Sequence, residues 1–357
     1  MHTLDDFGWS SFFEGQVTDD ERARWTPGRV VWEGRERYRV STGHTEWESR
    51  LAGRLRHAAA TRADRPVVGD WVLTAVHPDN GGATIHRLLA RRSRFARAAA
   101  GRATEEQVVA ANVDTVLLVT SFNDDFNLRR VERYLALTWE SGANPVVVLN
   151  KADLSADHAT WRAEMEAVSQ GVPILVTSAQ RGDGLAELHA IVRTGGTTAF
   201  LGSSGVGKST LINALLGDSR QEILPIRERD DRGRHSTSAR QLFCLTGGGV
   251  LIDTPGMREL QLWNADAGLA HTFADVQTLA AACRFRDCSH GGEPGCAVAA
   301  ALERGELPAD RLDSYRRLLR EDAFLRSRHD EGARLKRTRE AKQIARAVRL
   351  QYKLRRR

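Results

Sequence analysis

The stretch running from Thr198-Ala-Phe-Leu201 through Gly202-Ser-Ser-Gly-Val-Gly-Lys-Ser209 into Thr210-Leu-Ile-Asn-Ala-Leu-Leu-Gly217 constrains the fold of this chain more than any other. An apolar run, a loop of the form G-x-x-x-x-G-K-[ST] and a second apolar run make the strand–loop–helix of a phosphate-binding α/β domain. Gly202, Gly205 and Gly207 let the backbone curl so that its N–H groups converge on phosphate oxygens, and the helix that follows adds its positive end. Lys208 is expected to reach the β and γ phosphates and Ser209 to offer its hydroxyl to Mg²⁺. Ser203, Ser204, Val206 and Thr210 complete the cradle.

Two further phrases fit one nucleotide. The apolar run Val250-Leu-Ile252 ends in Asp253-Thr-Pro-Gly256. A carboxylate at the carboxyl end of a sheet strand can hold the Mg²⁺ shell, and the Gly256 N–H can approach a γ-phosphate. The run Val146–Leu149 ends in Asn150-Lys151-Ala152-Asp153, and Ser178-Ala179 follows the next apolar run, Ile174–Val176. Asn150 can bond the purine and Lys151 can lay its stem along the ring. Asp153 can accept from both donors on the guanine edge, and the Ser178-Ala179 backbone can supply an N–H to O6. Adenine would leave that carboxylate unpaired, so the phrase selects guanine.

Outside this region the texture changes. From Gly28 to about Arg97, short β-rich runs separated by Gly, Asp, Asn and Pro predict a small all-β barrel, with Ala98–Gln107 read as a linker. Strand–helix alternation from Val113 onward predicts a parallel, doubly wound sheet. Beyond Trp263 an Ala-rich helical stretch carries Cys283-x₄-Cys288-x-His290-x₅-Cys296, a set that suits one structural, tetrahedral Zn²⁺. The fourth cysteine, Cys244 in Gln241-Leu-Phe-Cys-Leu245, is read as a buried apolar residue. Before the barrel, residues 1–28 form a lead with Phe7, Trp9, Phe12 and Phe13; after the cysteines, residues 331–357 form a basic tail with Glu340 as the one acid from Arg334 onward. That tail, with Arg284, Arg286 and Arg304, points to a polyanion partner. So do Trp32, Tyr38, Trp47 and Trp71 among the barrel's arginines, although a barrel this small needs some of them as core. Three of the four cysteines crowded into one metal-like cluster exclude a disulfide scaffold and suit a reducing compartment. No apolar run reaches eighteen residues and no secretory signal is present, so a cytoplasmic protein without a membrane partner is expected.

In the numbering of GTPase motifs the order is G4, G5, G1, G2, G3. With the barrel before it, the Cys/His cluster after it and the phrase Gly233-Arg234-His235-Ser236-Thr237, the chain resembles the RsgA (YjeQ) family of circularly permuted, small-subunit-dependent GTPases from about Gly28 to about Arg326. The resemblance implies an OB-fold RNA-binding barrel (29–100), a permuted GTPase domain (105–262) and a zinc domain (263–330). It implies a monomer that binds the small ribosomal subunit and its 16S-type rRNA late in assembly, cycles between GTP and GDP, and leaves after hydrolysis. Met257 stands where Ras-like enzymes carry a water-orienting glutamine, and an apolar side chain cannot do that work. The family reading assigns catalysis to His235, with Thr237 on Mg²⁺ and Lys208 on the phosphates. Two other functions compete: an rRNA-binding scaffold that scarcely hydrolyses GTP, and a GTPase of large-subunit assembly.

Overall fold

A computed structural model describes residues 2–34, 36–99, 102–123, 125–194, 196–217, 240–245, 248–253, 262 and 265–327. The lead folds into a 3₁₀ turn, Asp5–Phe7, and two short helices, Ser11–Glu14 and Asp19–Arg24. The second helix starts where Thr18 and Glu21 exchange side-chain and backbone hydrogen bonds, a reciprocal cap.

Five strands then close a barrel: β1 (Thr26–Glu33), β2 (Tyr38–Ser41), β3 (Glu46–Leu51), β4 (Trp71–His77) and β5 (Gly82–Leu88), in the order β1-β2-β3-β5-β4 with β4 returning to β1. Val30, Tyr38, Val40, Val72 and Ile85 fill it. Trp71 is buried and packs on Trp9 and Phe13 of the lead, which makes it core; Trp32 and Trp47 are half-buried. Arg29 is buried, and among the described residues no carboxylate forms an ion pair with it. Its guanidinium lies 5.3 Å from the Trp71 ring and donates to the carbonyls of Phe7, Gly69 and Asn112, one each from the lead, the barrel and the segment beyond it. Burial pulls its pKa down to about 10, so it stays charged at neutral pH.

The stretch after the barrel is not a linker. Strands β6 (Arg94–Ala99) and β7 (Arg102–Ala111) pair antiparallel as a two-stranded ribbon. Ala-rich and acidic residues hide it from pattern reading, because neither strand alternates apolar with polar along its whole length.

The α/β domain has β8 (Thr115–Ser121), β9 (Asn144–Asn150), β10 (Ile174–Val176), β11 (Thr197–Leu201), β12 (Arg240–Cys244) and β13 (Val250–Asp253). Five of them run parallel in the order β10-β9-β8-β11-β13, and β12 adds to β13 antiparallel. All seven residues of β8 are buried, as a strand covered on both faces requires. Val116 and Leu118 face Val131, Leu135 and Met165; Leu117 and Val119 face Leu188, Val192, Leu211 and Ile212. Helices Leu128–Ser141 and His158–Val168 therefore cover one face, and Leu185–Thr194 and Lys208–Leu216 the other. The barrel is not a bead on a string: β12 pairs with β1 (Trp32 opposite Gln241), so one eleven-stranded sheet runs through both units.

Helices Asp266–Thr272, Ala274–Ala281 and Ala297–Glu303, with residues 309–327, form the C-terminal region. Leu269, Phe273, Val276, Val298, Leu312 and Leu318 join the same apolar cluster as Leu135 of the α/β domain. Gly268 makes the contact possible, since a Cβ there would lie 2.1 Å from the Ala136 carbonyl oxygen. Among the described residues no helix is long and apolar enough to cross a membrane.

Candidate nucleotide site and metal centre

The phosphate loop leaves β11 between β8 and β13, at the carboxyl end of the sheet where open α/β folds bind ligands. Gly202 passes so close to β8 that a Cβ would sit 2.3 Å from the Val119 carbonyl oxygen. Gly207 has φ +96° and faces the Asn150 amide, 2.3 Å from where its Cβ would be. Both positions admit glycine alone. Ser204, Gly205, Ser209 and Thr210 are exposed on the loop and the first turn of its helix; Val206 is buried beneath. Lys208 Nζ donates to the Gly202 carbonyl at 2.8 Å and to that of Ser203, which holds the ammonium over the loop. Ile252 pairs with Ala199, so Asp253 emerges at the same sheet edge as Gly202.

The guanine phrase converges on this loop. Asn150, buried at the end of β9, donates from Nδ2 to the Val206 carbonyl at 2.9 Å. Its Oδ1 accepts from Thr177 Oγ1 at 3.1 Å and from the Ala179 N–H at 3.3 Å. The sequence places Asn150 against the purine; the structure also makes it a brace between base site and phosphate loop. Lys151 takes a left-handed backbone (φ 63°), uncommon for a non-glycine residue and characteristic of functional turns. The Ser178 hydroxyl donates to Asp153, and this hydrogen bond first, then the charges of Arg181 and Lys151, holds the Asp153 carboxyl below its ordinary pKa. The carboxylate is thereby held in its ionised, acceptor-only form.

Three contributors escaped sequence reading. Thr177 anchors Asn150 from beneath. Arg130 and Tyr134, one turn apart on helix Leu128–Ser141, both bond the Ser203 side chain. Helical spacing i, i+4 could have put the last two on one face, but nothing local names their target. His235, Thr237, Gly256 and Met257 lie outside the described residues, as does the basic tail.

Cys283, Cys288, His290 and Cys296 converge, each ligand atom within 4.8 Å of the others. With Zn–S near 2.3 Å and Zn–N near 2.05 Å, a tetrahedral ion needs S···S edges of about 3.8 Å and S···N edges of about 3.6 Å. Cys283 and Cys296 are 3.9 Å apart, and each lies 3.6 Å from His290 Nδ1. The residues fit one zinc ion. His290 reaches the site with a left-handed backbone, φ 62°. Cys244 is elsewhere, half-buried on β12, and burial pushes its thiol up to about 12, which leaves it unreactive.

A doubly wound nucleotide domain whose base motif precedes its phosphate loop, fused to a closed five-stranded barrel and a helical Cys₃His region, defines the class of circularly permuted GTPases. The family model described as RsgA GTPase matches residues 88–263. The small ribosomal subunit biogenesis GTPase RsgA of Opitutus terrae is 48% identical over 337 residues, covering 92% of each chain. That of Streptomyces avermitilis is 44% identical, covering 92% of this chain and 88% of its own. The crystal structure of YjeQ from Thermotoga maritima superposes with a TM-score of 0.63 at 27% identity, over 83% of this chain and 98% of the other. YloQ, a circularly permuted GTPase, shares the fold with a TM-score of 0.60 at 24% identity, over 87% and 99%. This chain belongs to the RsgA family of GTPases.

Proposed function

We propose that the chain hydrolyses GTP in response to the small ribosomal subunit, acts as a late checkpoint in assembly of that subunit, and leaves after hydrolysis. The observation that carries this reading is the Asn150–Val206 hydrogen bond, which joins a guanine-selecting motif to a phosphate loop in one site. The relatives' names, which speak of small-subunit biogenesis, support the choice of ribosomal partner.

In this site Asp153 accepts from the guanine edge, Ala179 supplies an N–H toward O6, and Lys151 covers the ring. The loop Gly202–Thr210 wraps the phosphates, with Lys208 at the β and γ groups and the Gly256 N–H at the γ group. A magnesium ion bound by Ser209, Thr237 and Asp253 would supply the charge neutralisation that phosphoryl transfer needs. His235 takes the water-orienting role that Met257 leaves open. The single zinc is structural, since four protein ligands leave no open position.

The division of labour follows the chain: a lead (1–28), an RNA-binding barrel (29–100), the GTPase domain (105–262), the zinc domain (263–330) and a basic tail (331–357). The 16S-type rRNA meets the barrel, the tail and the zinc loop. On that loop Phe285 is 43% exposed with the Arg284 guanidinium 5.4 Å over its ring, and Arg286 is exposed beside it. An aromatic among arginines suits unpaired bases and phosphates. The protein acts as a cytoplasmic monomer.

Co-sedimentation with purified small subunits tests the cycle. Retention with a non-hydrolysable GTP analogue and release with GDP is expected, and a His235→Ala chain supplied with GTP should remain bound. Equal retention in both nucleotides sinks the checkpoint.

A further inference from the structure

We infer that helix Leu128–Ser141 couples the phosphate loop to the zinc centre, with Arg130 as a positioning residue on the loop; the inference rests on the GTPase reading above. One face of this helix touches the nucleotide loop. Arg130 donates to Ser203 Oγ while Asp125 Oδ1 accepts from the same guanidinium nitrogen at 2.7 Å, and the Tyr134 hydroxyl pairs with the same serine one turn on. Asp125 lies in the loop that enters the helix and thus fixes the arginine from its own side.

The other face is tied to the C-terminal region. Arg129 pairs with Asp310, Arg133 with Glu321, and the buried Glu132 accepts from Arg311 Nη1 at 2.7 Å and from the Ser314 hydroxyl. All four partners lie on the helix spanning 309–327. From that helix Arg316 Nη2 donates to the carbonyl of His290, a residue of the zinc set, at 2.6 Å. Nearer the carboxyl end of the first helix, Glu140 Oε2 accepts from the Gly268 N–H at 3.0 Å, at the close backbone approach that only glycine permits.

Each link from Ser203 to His290 is therefore a direct side-chain contact or one rigid helix, and none passes through residues 254–264. A contiguous network supplies only a route; the free energy must come from a nucleotide that contacts the loop differently in its two states. The γ-phosphate can do this, because Ser203 belongs to the loop that wraps it.

Hydrogen exchange of the full zinc-loaded chain tests the inference, comparing GDP with a non-hydrolysable GTP analogue. Wild type should protect residues 309–321 differently in the two nucleotides. Arg130→Ala and Tyr134→Phe should each cut that difference by about half or more, read at saturating nucleotide and with zinc content unchanged. Arg130→Lys, whose ammonium can donate to both Asp125 and Ser203 as Nη1 does, should keep most of the difference. Stimulated turnover in Arg130→Ala should drop about fivefold, the lower end of ordinary coupling energies. Wild type without a nucleotide-dependent difference, or variants that keep it in full, overturns the coupling. Failure of wild type to bind GDP at all would instead overturn the GTPase reading on which it rests.

Discussion

Replacing Arg311 should cost more stability than any surface change in the C-terminal region. The residue is 3% exposed and uses all five of its N–H groups: Nε and Nη2 on the two oxygens of Asp275, at 3.0 and 3.1 Å, Nη1 on Glu132 and the Val168 carbonyl, and Nη2 also on the Thr272 carbonyl at 2.7 Å. Its guanidinium stacks 4.5 Å from the Phe273 ring. Arg311→Ala removes the cation while Glu132, fully buried, keeps its charge. Breaking one side of a buried pair typically costs about 3–5 kcal/mol. Glu132 retains Arg129 and Ser314, so the lower end, about 3 kcal/mol, applies. At roughly 2–4 °C per kcal/mol for a body of this size, the melting midpoint should fall by about 6–12 °C. Scanning calorimetry on the zinc-loaded chain reads this directly. A companion chain with Glu132→Leu and Arg311→Met, which removes both charges, should recover most of the loss. A single-variant shift under about 3 °C, near 1 kcal/mol, would refute the assignment of Arg311 as the buried tie between the two units.

Stripping zinc with a chelator, or Cys296→Ser, should release one ion per chain and unfold residues 265–327 while the barrel strands keep their exchange protection; an apo chain with an unchanged C-terminal pattern would contradict a structural role. Gly207→Ala should abolish GDP binding in a titration without unfolding the barrel, since the new methyl meets the Asn150 amide at 2.3 Å on a left-handed backbone; wild-type affinity would show that this brace is dispensable. The Asp153 carboxyl is held low by the Ser178 hydroxyl. A depressed carboxylate keeps its charge above its lowered pKa and loses it only as pH falls through that value, so GDP affinity should stay flat from pH 8 to about 5. Ser178→Ala should move the acid-side loss of affinity upward, and an unmoved profile would remove Asp153 from guanine reading.

The parts of this molecule that repeat a local chemical rule were legible from sequence. The strand–loop–helix around Lys208 is contiguous, and Gly142 closes helix Leu128–Ser141 with φ +85°, as a glycine after an amphipathic run implies. The cysteine spacing likewise carried its own geometry. What stayed hidden is non-local. Nothing in Trp32 or Gln241 announces that β1 and β12 pair, because edge pairing depends on how two units dock. The Ala98–Gln107 stretch read as a linker because alanine and charge outweigh its few β-branched residues, whereas pairing with β6 makes it a ribbon. Glu132 and Arg311 stand 179 residues apart, and periodicity at neither end marks a buried charge that finds its partner only in the folded chain. Arg130 reads as one more cation on a polar helix face until the phosphate loop is brought beside it.

The most direct measurement is phosphate released from GTP by the purified chain alone, with small ribosomal subunits, and with large ones. Slow turnover alone, strong stimulation by small subunits only, and loss of that stimulation in His235→Ala are expected. Specific binding to small subunits with no rise in turnover would contradict a checkpoint GTPase and leave an rRNA-binding scaffold that holds its nucleotide.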